Sequence, residues 1–389
     1  MFCKSKISEA EYKKIFNNIT PELRILLLFT NLTCNARCNF CHIWGDKGWA
    51  LKNRKEQSLE HIDLKVAKRF IDEALSKTGK PFWVMLTGGE PTLYKNFENL
   101  VGYLKRKELP IILLTNGYNL ADRAEFFVKN EVNNISISLD GPPEVHNKIR
   151  NINNLYDEVI KGVEKIIKLK YEHRSIYPML FFNCVISKHT MSTIKDFIIE
   201  LRKDLKTKKI NLKFNMKKMG GVNDVGMRFE PLLHTTKSNV QRYINEMKTL
   251  FDKDVSSTPH SFIQDNRELN LNPIKIFLED VWTKSDIKVD DLIEINDYFH
   301  NIDNTFNHKR CFAPWHSLIV RQNGDTYFCP DFKDYELGNI NENSFSEIWQ
   351  GQSAAKFRKV LSNGLLALCN RCGGLYTDYQ FLYQNKPQE

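Results

Sequence analysis

Between residues 25 and 216, short apolar runs alternate with longer segments in which apolar residues recur every three to four positions. The runs Ile25–Thr30, Phe82–Leu86, Ile111–Thr115, Ile135–Leu139, Leu180–Ile186 and Leu212–Met216 are rich in Leu, Ile, Val and Phe and carry few charges. Such runs predict parallel strands buried on both faces. Between them, Val66, Phe70, Ala74 and Leu75 recur at helical spacing, as do Phe97, Leu100, Val101 and Leu104, and Val159, Val163, Ile166 and Ile167. Strand–helix alternation implies right-handed βαβ units. Six units predict an α/β fold, a partial (β/α)6 barrel of parallel strands over residues 25–216. Chemistry in such barrels gathers at the C-terminal strand ends.

From Lys217 to Lys309 the alternation stops. Gly220-Gly221 and Asn/Asp-rich turns precede one amphipathic helix with Val240, Tyr243, Ile244, Met247 and Phe251 on one face. Residues 217–309 therefore read as a connecting region that covers the barrel mouth. Residues 1–24 form an N-terminal extension, 310–375 a cysteine-rich domain, and 376–389 a polar tail expected to fray.

At 389 residues and 42% hydrophobic content, the chain can bury a large core. No apolar run of about 18 residues occurs, so no transmembrane helix and no membrane partner are expected. The first 20 residues hold acidic groups and no apolar h-region, unlike a signal peptide, which makes the cytoplasm the expected location. The net charge of +9 comes from lysines scattered along the chain, which points to a solvated surface rather than to a nucleic-acid partner. Nine cysteines in a cytosolic chain argue against a disulfide framework. Seven of them fall in two groups, and Cys3 and Cys184 stand alone.

The first group, Cys34-x3-Cys38-x2-Cys41, follows directly on the first predicted strand. Three thiolates on one loop can ligate three irons of a [4Fe–4S] cluster and leave the fourth iron open. Zinc with His42 as a further ligand is an alternative that spacing alone does not remove. In context, the loop resembles the C-x3-C-x-Φ-C signature of the radical S-adenosylmethionine (SAM) superfamily, with Phe40 as the aromatic. The resemblance implies SAM bound through its amino and carboxylate groups to the open iron. Reductive cleavage then gives a 5′-deoxyadenosyl radical, the cofactor supplying the difficult chemistry.

The other strand ends carry the same resemblance. Gly88-Gly89-Glu90-Pro91 resembles the motif for the methionine amino group of SAM, with Gly88 and Gly89 permitting close backbone approach and Glu90 accepting from the ammonium. Asn116 and Ser138 are candidates for hydrogen bonds to the ribose or carboxylate, although Asn-Gly and Asp-Gly are also ordinary turn chemistry. Asn183 is a candidate for the adenine. Cys184 is either a buried, inert thiol or a hydrogen-atom donor to substrate.

The second group is Cys311-x12-Gly324-x4-Cys329, then Cys369-x2-Cys372. Asn323-Gly324-Asp325 reads as the turn of a β-hairpin between Leu318–Arg321 and Thr326–Phe328. Four cysteines suit zinc or a fully ligated [4Fe–4S] cluster. With Gly338-Asn339-Ile340 and Ile348-Trp349, the segment resembles the SPASM/twitch extensions of radical SAM enzymes. A full SPASM domain carries further cysteines after the C-x2-C, and none follow Cys372. That departure implies a twitch-like domain with one auxiliary [4Fe–4S] cluster.

The resemblance implies an oxidoreductase. Its radical takes a hydrogen atom from a small-molecule or peptide substrate, and the auxiliary cluster handles the remaining electron. An external donor such as flavodoxin or ferredoxin would reduce the first cluster. About 20 residues precede the barrel, which makes a leader-peptide substrate less expected. Two alternatives remain open at this point: a redox-neutral epimerase or rearrangement enzyme, and a zinc- or cluster-binding scaffold associated with nucleic acid. The scaffold leaves the strand-end motifs without a role.

Overall fold

The computed structural model describes residues 9–45, 48, 50, 60–214, 219–232, 235–256, 298–299, 310–330 and 334–372. Its frame is one sheet of ten strands, ordered β10-β9-β8-β1-β2-β3-β4-β5-β7-β6. Strands β1 (Ile25–Phe29), β2 (Trp83–Thr87), β3 (Ile111–Thr115), β4 (Asn134–Ser138) and β5 (Met179–Ile186) fall where the apolar runs predict them. They pair in parallel in that order. Helices over Leu64–Thr78, Phe97–Arg106, Leu120–Lys129, Leu155–Glu172 and Ile194–Thr207 connect or flank them. The first of these starts at Asp63, whose carboxylate accepts from the Lys65 and Val66 N–H groups at 2.8 and 3.0 Å. It ends at Gly79, in the left-handed region at φ 63°.

Alternate strand residues divide between two environments. Leu26, Leu28, Val84, Leu86, Leu113, Ile135, Ile137, Leu180 and Phe182 join the helix residues in one buried core. The intervening residues point to the opposite, inner face of the partial barrel.

The sixth barrel strand differs from the expectation. Residues Asn211–Lys213 form only a short edge strand, β6, and Met216 lies outside the described residues. The strand beside β5 is β7 (Asp224–Pro231), in register from Leu180↔Val225 to Ile186↔Pro231. Its alternation explains why. Val225, Met227 and Phe229 are buried in the helix-side core, while Gly226, Arg228 and Glu230 take the inner face. A three-residue strand has no comparable apolar row.

The predicted hairpin is present as β8 (Ser317–Val320) and β9 (Asp325–Tyr327), with Ile319↔Tyr327 and Val320↔Thr326. A short β10 (Gly338–Asn339) extends it. The sequence did not announce that β8 pairs in parallel with β1, from Ile25↔Ser317 to Leu28↔Val320. The cysteine-rich unit therefore continues the barrel sheet. Its residues Leu318, Val320, Phe345, Ile348 and Trp349 belong to the barrel's own core. Phe345 lies edge-on to Phe70 at 5.6 Å, and its N–H donates to Glu73 at 2.8 Å.

The amphipathic helix of the connecting region spans Lys237–Phe251, and Val240, Tyr243, Met247 and Phe251 face inward as expected. They pack on Trp315, Leu361, Leu366, Ala367 and Leu368 of the C-terminal unit. The part of 217–309 expected over the barrel mouth falls largely outside the described residues, as do Cys3 and residues 376–389. Among the described residues no helix is long and apolar enough to cross a membrane.

The shared core predicts that the hairpin and barrel unfold together. Leu318 is fully buried. Leu318→Ala should cost about 2–5 kcal/mol, read as a shift of a single urea transition. A loss confined to a separate, early transition of the C-terminal unit would contradict the joint core.

Candidate functional site

The loop after β1 carries Cys34, Cys38 and Cys41 and folds onto the inner face. Leu32, Ile43 and Trp44 bury against Phe29, Ile319 and Tyr327 there, with Cys34 and Cys41 at the edge of the cluster. The loop is tied to itself by Arg37, which donates to the carbonyls of Cys34 and Ala36 at 2.7 Å and stacks over Trp44 at 4.9 Å. The Trp44 indole N–H donates to the Leu32 carbonyl at 2.8 Å. Each thiol sulfur receives one hydrogen bond. Ala36 N–H reaches Cys34 at 3.4 Å, Trp44 N–H reaches Cys41 at 3.4 Å, and Arg150 reaches Cys38 at 3.6 Å.

The Gly88-Gly89 turn at the end of β2 lies against this loop. Gly89 N–H donates to Asn31 O, and Glu90 N–H to Thr33 O, both at 2.8 Å. A Cβ on Gly88 would stand 2.3 Å from Asn31 O, and one on Gly89 2.3 Å from Thr33 O. Close approach is thus used to seat the cysteine loop itself. The Glu90 carboxylate is buried and accepts from Thr92 Oγ1 (2.7 Å) and N–H (3.2 Å), Thr115 Oγ1 (2.8 Å) and Asn116 N–H (2.8 Å). Burial pushes its carboxyl up, and these four donors pull it part of the way back. Glu90 therefore braces β2 to β3, with three of these bonds on Oε1 and a single one, from Asn116, on Oε2. Asn116 is likewise engaged, donating to Asn35 Oδ1 at 2.7 Å and accepting from Tyr118 N–H at 2.9 Å.

Ser138 and Asn183 are cross-strand partners at the C-terminal ends of β4 and β5. The Asn183 Oδ1 is buried without a donor. Cys184 is one residue on and so points the other way, fully buried in the helix-side core. The possibility that it donates hydrogen to a substrate is corrected accordingly: the thiol faces the helices. Burial raises its pKa well above the ordinary thiol value, as for an inert core cysteine.

Sequence reasoning missed the group that holds the loop from the far side. Arg150 ends the helix Pro143–Arg150. Its Nε donates to Asp140 at 2.6 Å, its guanidinium lies 5.3 Å over Phe40, and its carbonyl accepts from Arg37 N–H at 3.1 Å. Burial alone would raise the Asp140 carboxyl, but Arg150 beside it holds it below the usual carboxylate range. His146 Nδ1 accepts from the Asp140 N–H at 3.1 Å, and burial lowers the ring's pKa, so the neutral ring carries its proton on Nε2. The only hint in the sequence was an Arg ten residues after Asp140, a spacing that carries no signal by itself.

The second cysteine group gathers below the hairpin. Cys329 follows β9, Cys311 precedes the short helix Ala313–His316, and Cys372 N–H donates to Cys369 O at 3.1 Å in the knuckle. The helix Lys237–Phe251 closes this side. Tyr243 donates to Asp334 at 2.9 Å, and Glu246 accepts from Ala367 N–H at 2.7 Å.

Both thiol sets suit iron–sulfur clusters. Burial pushes Cys34 up to about 12, and nearby Glu90, Cys38 and Cys41 oppose a further negative charge there. Burial likewise pushes Cys311 up to about 11, and Cys369 is raised by burial and then by Cys311 and Cys372. Crowded buried thiols of this kind become thiolates when a metal centre supplies positive charge. Among the described residues no three His, Cys, Asp or Glu side chains already stand at metal-binding distance.

The Asp140–Arg150 pair yields a prediction. Asp140→Asn leaves a buried guanidinium unpaired and should cost the metal-free protein about 3–5 kcal/mol at pH 7. Because the folded carboxyl lies below its unfolded value of about 4, its stabilisation is full above that pH and is lost as pH falls through the folded value. Urea unfolding between pH 7 and 3 checks this: the variant should lose the part of the acid destabilisation that Asp140 contributes. A variant as stable as wild type at pH 7 would refute the pairing.

Comparison with known proteins follows this geometry. Residues 29–201 match the Radical SAM superfamily, and residues 311–373 match the iron–sulfur cluster-binding domain named SPASM. The chain is 30% identical over 176 residues to a GTP 3′,8-cyclase of Vibrio parahaemolyticus, covering 43% of this chain and 50% of the relative. It spans about half the length of such cyclases. It is 24% identical over 354 residues to the cysteine-type anaerobic sulfatase-maturating enzyme of Clostridium novyi, covering 86% of this chain and 81% of the relative. Among solved structures it resembles Streptococcus suis SuiB bound to S-adenosylmethionine (TM-score 0.55, 15% identity, 96% of this chain and 77% of that one). It also resembles anSMEcpe with bound AdoMet and Cp18Cys peptide (TM-score 0.52, 18% identity, 90% and 86%). At these identities the structural likeness establishes the fold. Radical SAM and SPASM domains imply iron–sulfur clusters and SAM as cofactors. The chain thus carries a Radical SAM superfamily domain over residues 29–201 and a SPASM domain over residues 311–373.

Proposed function

We propose that the chain oxidises a peptide substrate by hydrogen-atom abstraction, with Cys34, Cys38 and Cys41 holding a SAM-binding [4Fe–4S] cluster and Cys311, Cys329, Cys369 and Cys372 an auxiliary one. The observation that carries the reading is the placement of both thiol sets on one sheet. The three-cysteine loop lies on the inner face at β1, and the four-cysteine unit extends that same strand through β8. Bound at these sites, the clusters and SAM supply the 5′-deoxyadenosyl radical and an acceptor for the electron left on the substrate.

The chain's own residues then have positional tasks. Arg37, the Gly88-Gly89 turn and Arg150 fix the loop. Ser138 and Asn183 offer hydrogen bonds to SAM from the inner face, Asn183 through an oxygen that lacks a donor. Asn116 stands beside the loop, bonded to Asn35, and Phe40 lies on the loop itself, under the Arg150 guanidinium. Glu90, whose Oε2 accepts a single hydrogen bond, offers an acceptor to the amino group of SAM beside the Gly88-Gly89 backbone.

A peptide is favoured over a small molecule because a sulfatase-maturating enzyme matches over 86% of the chain, whereas the Vibrio cyclase matches over 43%. Net oxidation is favoured over epimerisation because Cys184, the sequence's one candidate donor thiol, faces the helix core.

Anaerobic, reduced protein should convert SAM into 5′-deoxyadenosine and methionine and should contain about 8 irons, as for two [4Fe–4S] clusters. Replacing Cys34, Cys38 and Cys41 together with Ala should abolish the conversion while retaining the C-terminal iron. Conversion persisting in that variant, or zinc in place of iron at the C-terminal site, would overturn the assignment.

A further inference from the structure

We infer that Arg228 is an anion-recognition residue of the substrate cavity, selecting substrates that carry a carboxylate. The inference rests on the preceding reading of the inner face as the place where SAM and substrate meet. Arg228 lies on β7, a strand whose register with β5 pairs it with Asn183, and Asn183 pairs with Ser138 of β4. The three residues thus form one row across the C-terminal ends of adjacent strands, spanning about 10 Å at the usual strand spacing. Ser138 and Asn183 are the residues assigned to SAM. Arg228 is next in the row, one strand farther from the cysteine loop.

Contact fixes its direction. The guanidinium lies 4.5 Å over the Phe181 ring, and Phe181 shares the inner face of β5 with Asn183. Stacking on Phe181 holds the planar group over the inner face and leaves its N–H groups available to a ligand there. Among the described residues Arg228 makes no ion pair, and the Phe181 ring is its one side-chain partner. Glu230 is two residues on along the same face, about 7 Å away at the strand rise, and it already has a partner of its own. A half-buried cation with no ion pair among the described residues, on the polar side of a cavity, is matched by an anionic ligand. A carboxylate fits best, because the guanidinium fork binds it through two parallel N–H···O bonds.

The test uses the protein with both clusters and SAM bound. The probes are N-acetyl-aspartate methylamide and its uncharged isostere, N-acetyl-asparagine methylamide, with affinities read by calorimetry. Wild type should bind the acid about tenfold more tightly than the amide. Arg228→Gln should erase that preference while leaving SAM affinity within about twofold, and Arg228→Lys should keep part of it, since charge remains but the fork is lost. Equal affinity of wild type for the two probes, or no binding of either, would overturn the inference. So would a loss of SAM affinity in Arg228→Gln, which would place the guanidinium on the cofactor. Wild-type protein that cleaves SAM yet shows no acid preference would sink this inference alone. Failure to cleave SAM would sink the reading on which it rests.

Discussion

The site depends on one close backbone contact, between Gly88-Gly89 at the end of β2 and Asn31–Thr33 at the start of the cysteine loop. The chains approach so nearly that a Cβ on either glycine would stand 2.3 Å from a carbonyl oxygen. Two hydrogen bonds at 2.8 Å occupy the gap instead. This contact fixes where the three thiols begin. From the other side, Arg150 fixes where they end, bound to Asp140 and reaching Cys38. A flexible loop of this length would pay a large ordering entropy whenever it gathered three thiols around one centre. Here the loop backbone is ordered by the fold's own hydrogen bonds.

The second constraint is continuity of the sheet. Because β8 pairs in parallel with β1, the hairpin that carries the auxiliary thiols cannot shift without moving the strand that feeds the first cysteine loop. Phe345 and Trp349 anchor the same unit to the helix after that loop, with Phe345 packed against Phe70. The helix Lys237–Phe251 then completes the core around Cys311 and Cys369. Two cysteine sets tied to one sheet keep a fixed separation, as electron transfer between clusters held there would require.

Much of this was legible in the sequence. The first five strands were announced by apolar runs too short for helices, and the hairpin by Asn323-Gly324-Asp325. What escaped notice did so for physical reasons. The apolar residues of β7 alternate with Gly226, Arg228 and Glu230, so the strand has half the hydrophobic density of its neighbours and follows a Gly-Gly turn that resembles a boundary. The pairing of β8 with β1 joins residues nearly 300 positions apart, and no local pattern encodes it. The sequence also cannot show the four hydrogen bonds that Thr92, Thr115 and Asn116 donate to Glu90. Cys184 and Asn183 are adjacent in sequence, yet strand alternation sends one into the helix core and leaves the other on the inner face.

The central claim is that the loop of Cys34, Cys38 and Cys41 holds a cluster with one iron open to SAM. Its most direct test is electron paramagnetic resonance of the reduced protein with Cys311, Cys329, Cys369 and Cys372 replaced by Ser, so that the first site alone contributes. Adding SAM should shift the g values and change the line shape of the reduced cluster signal. An unchanged spectrum at saturating SAM would contradict the account.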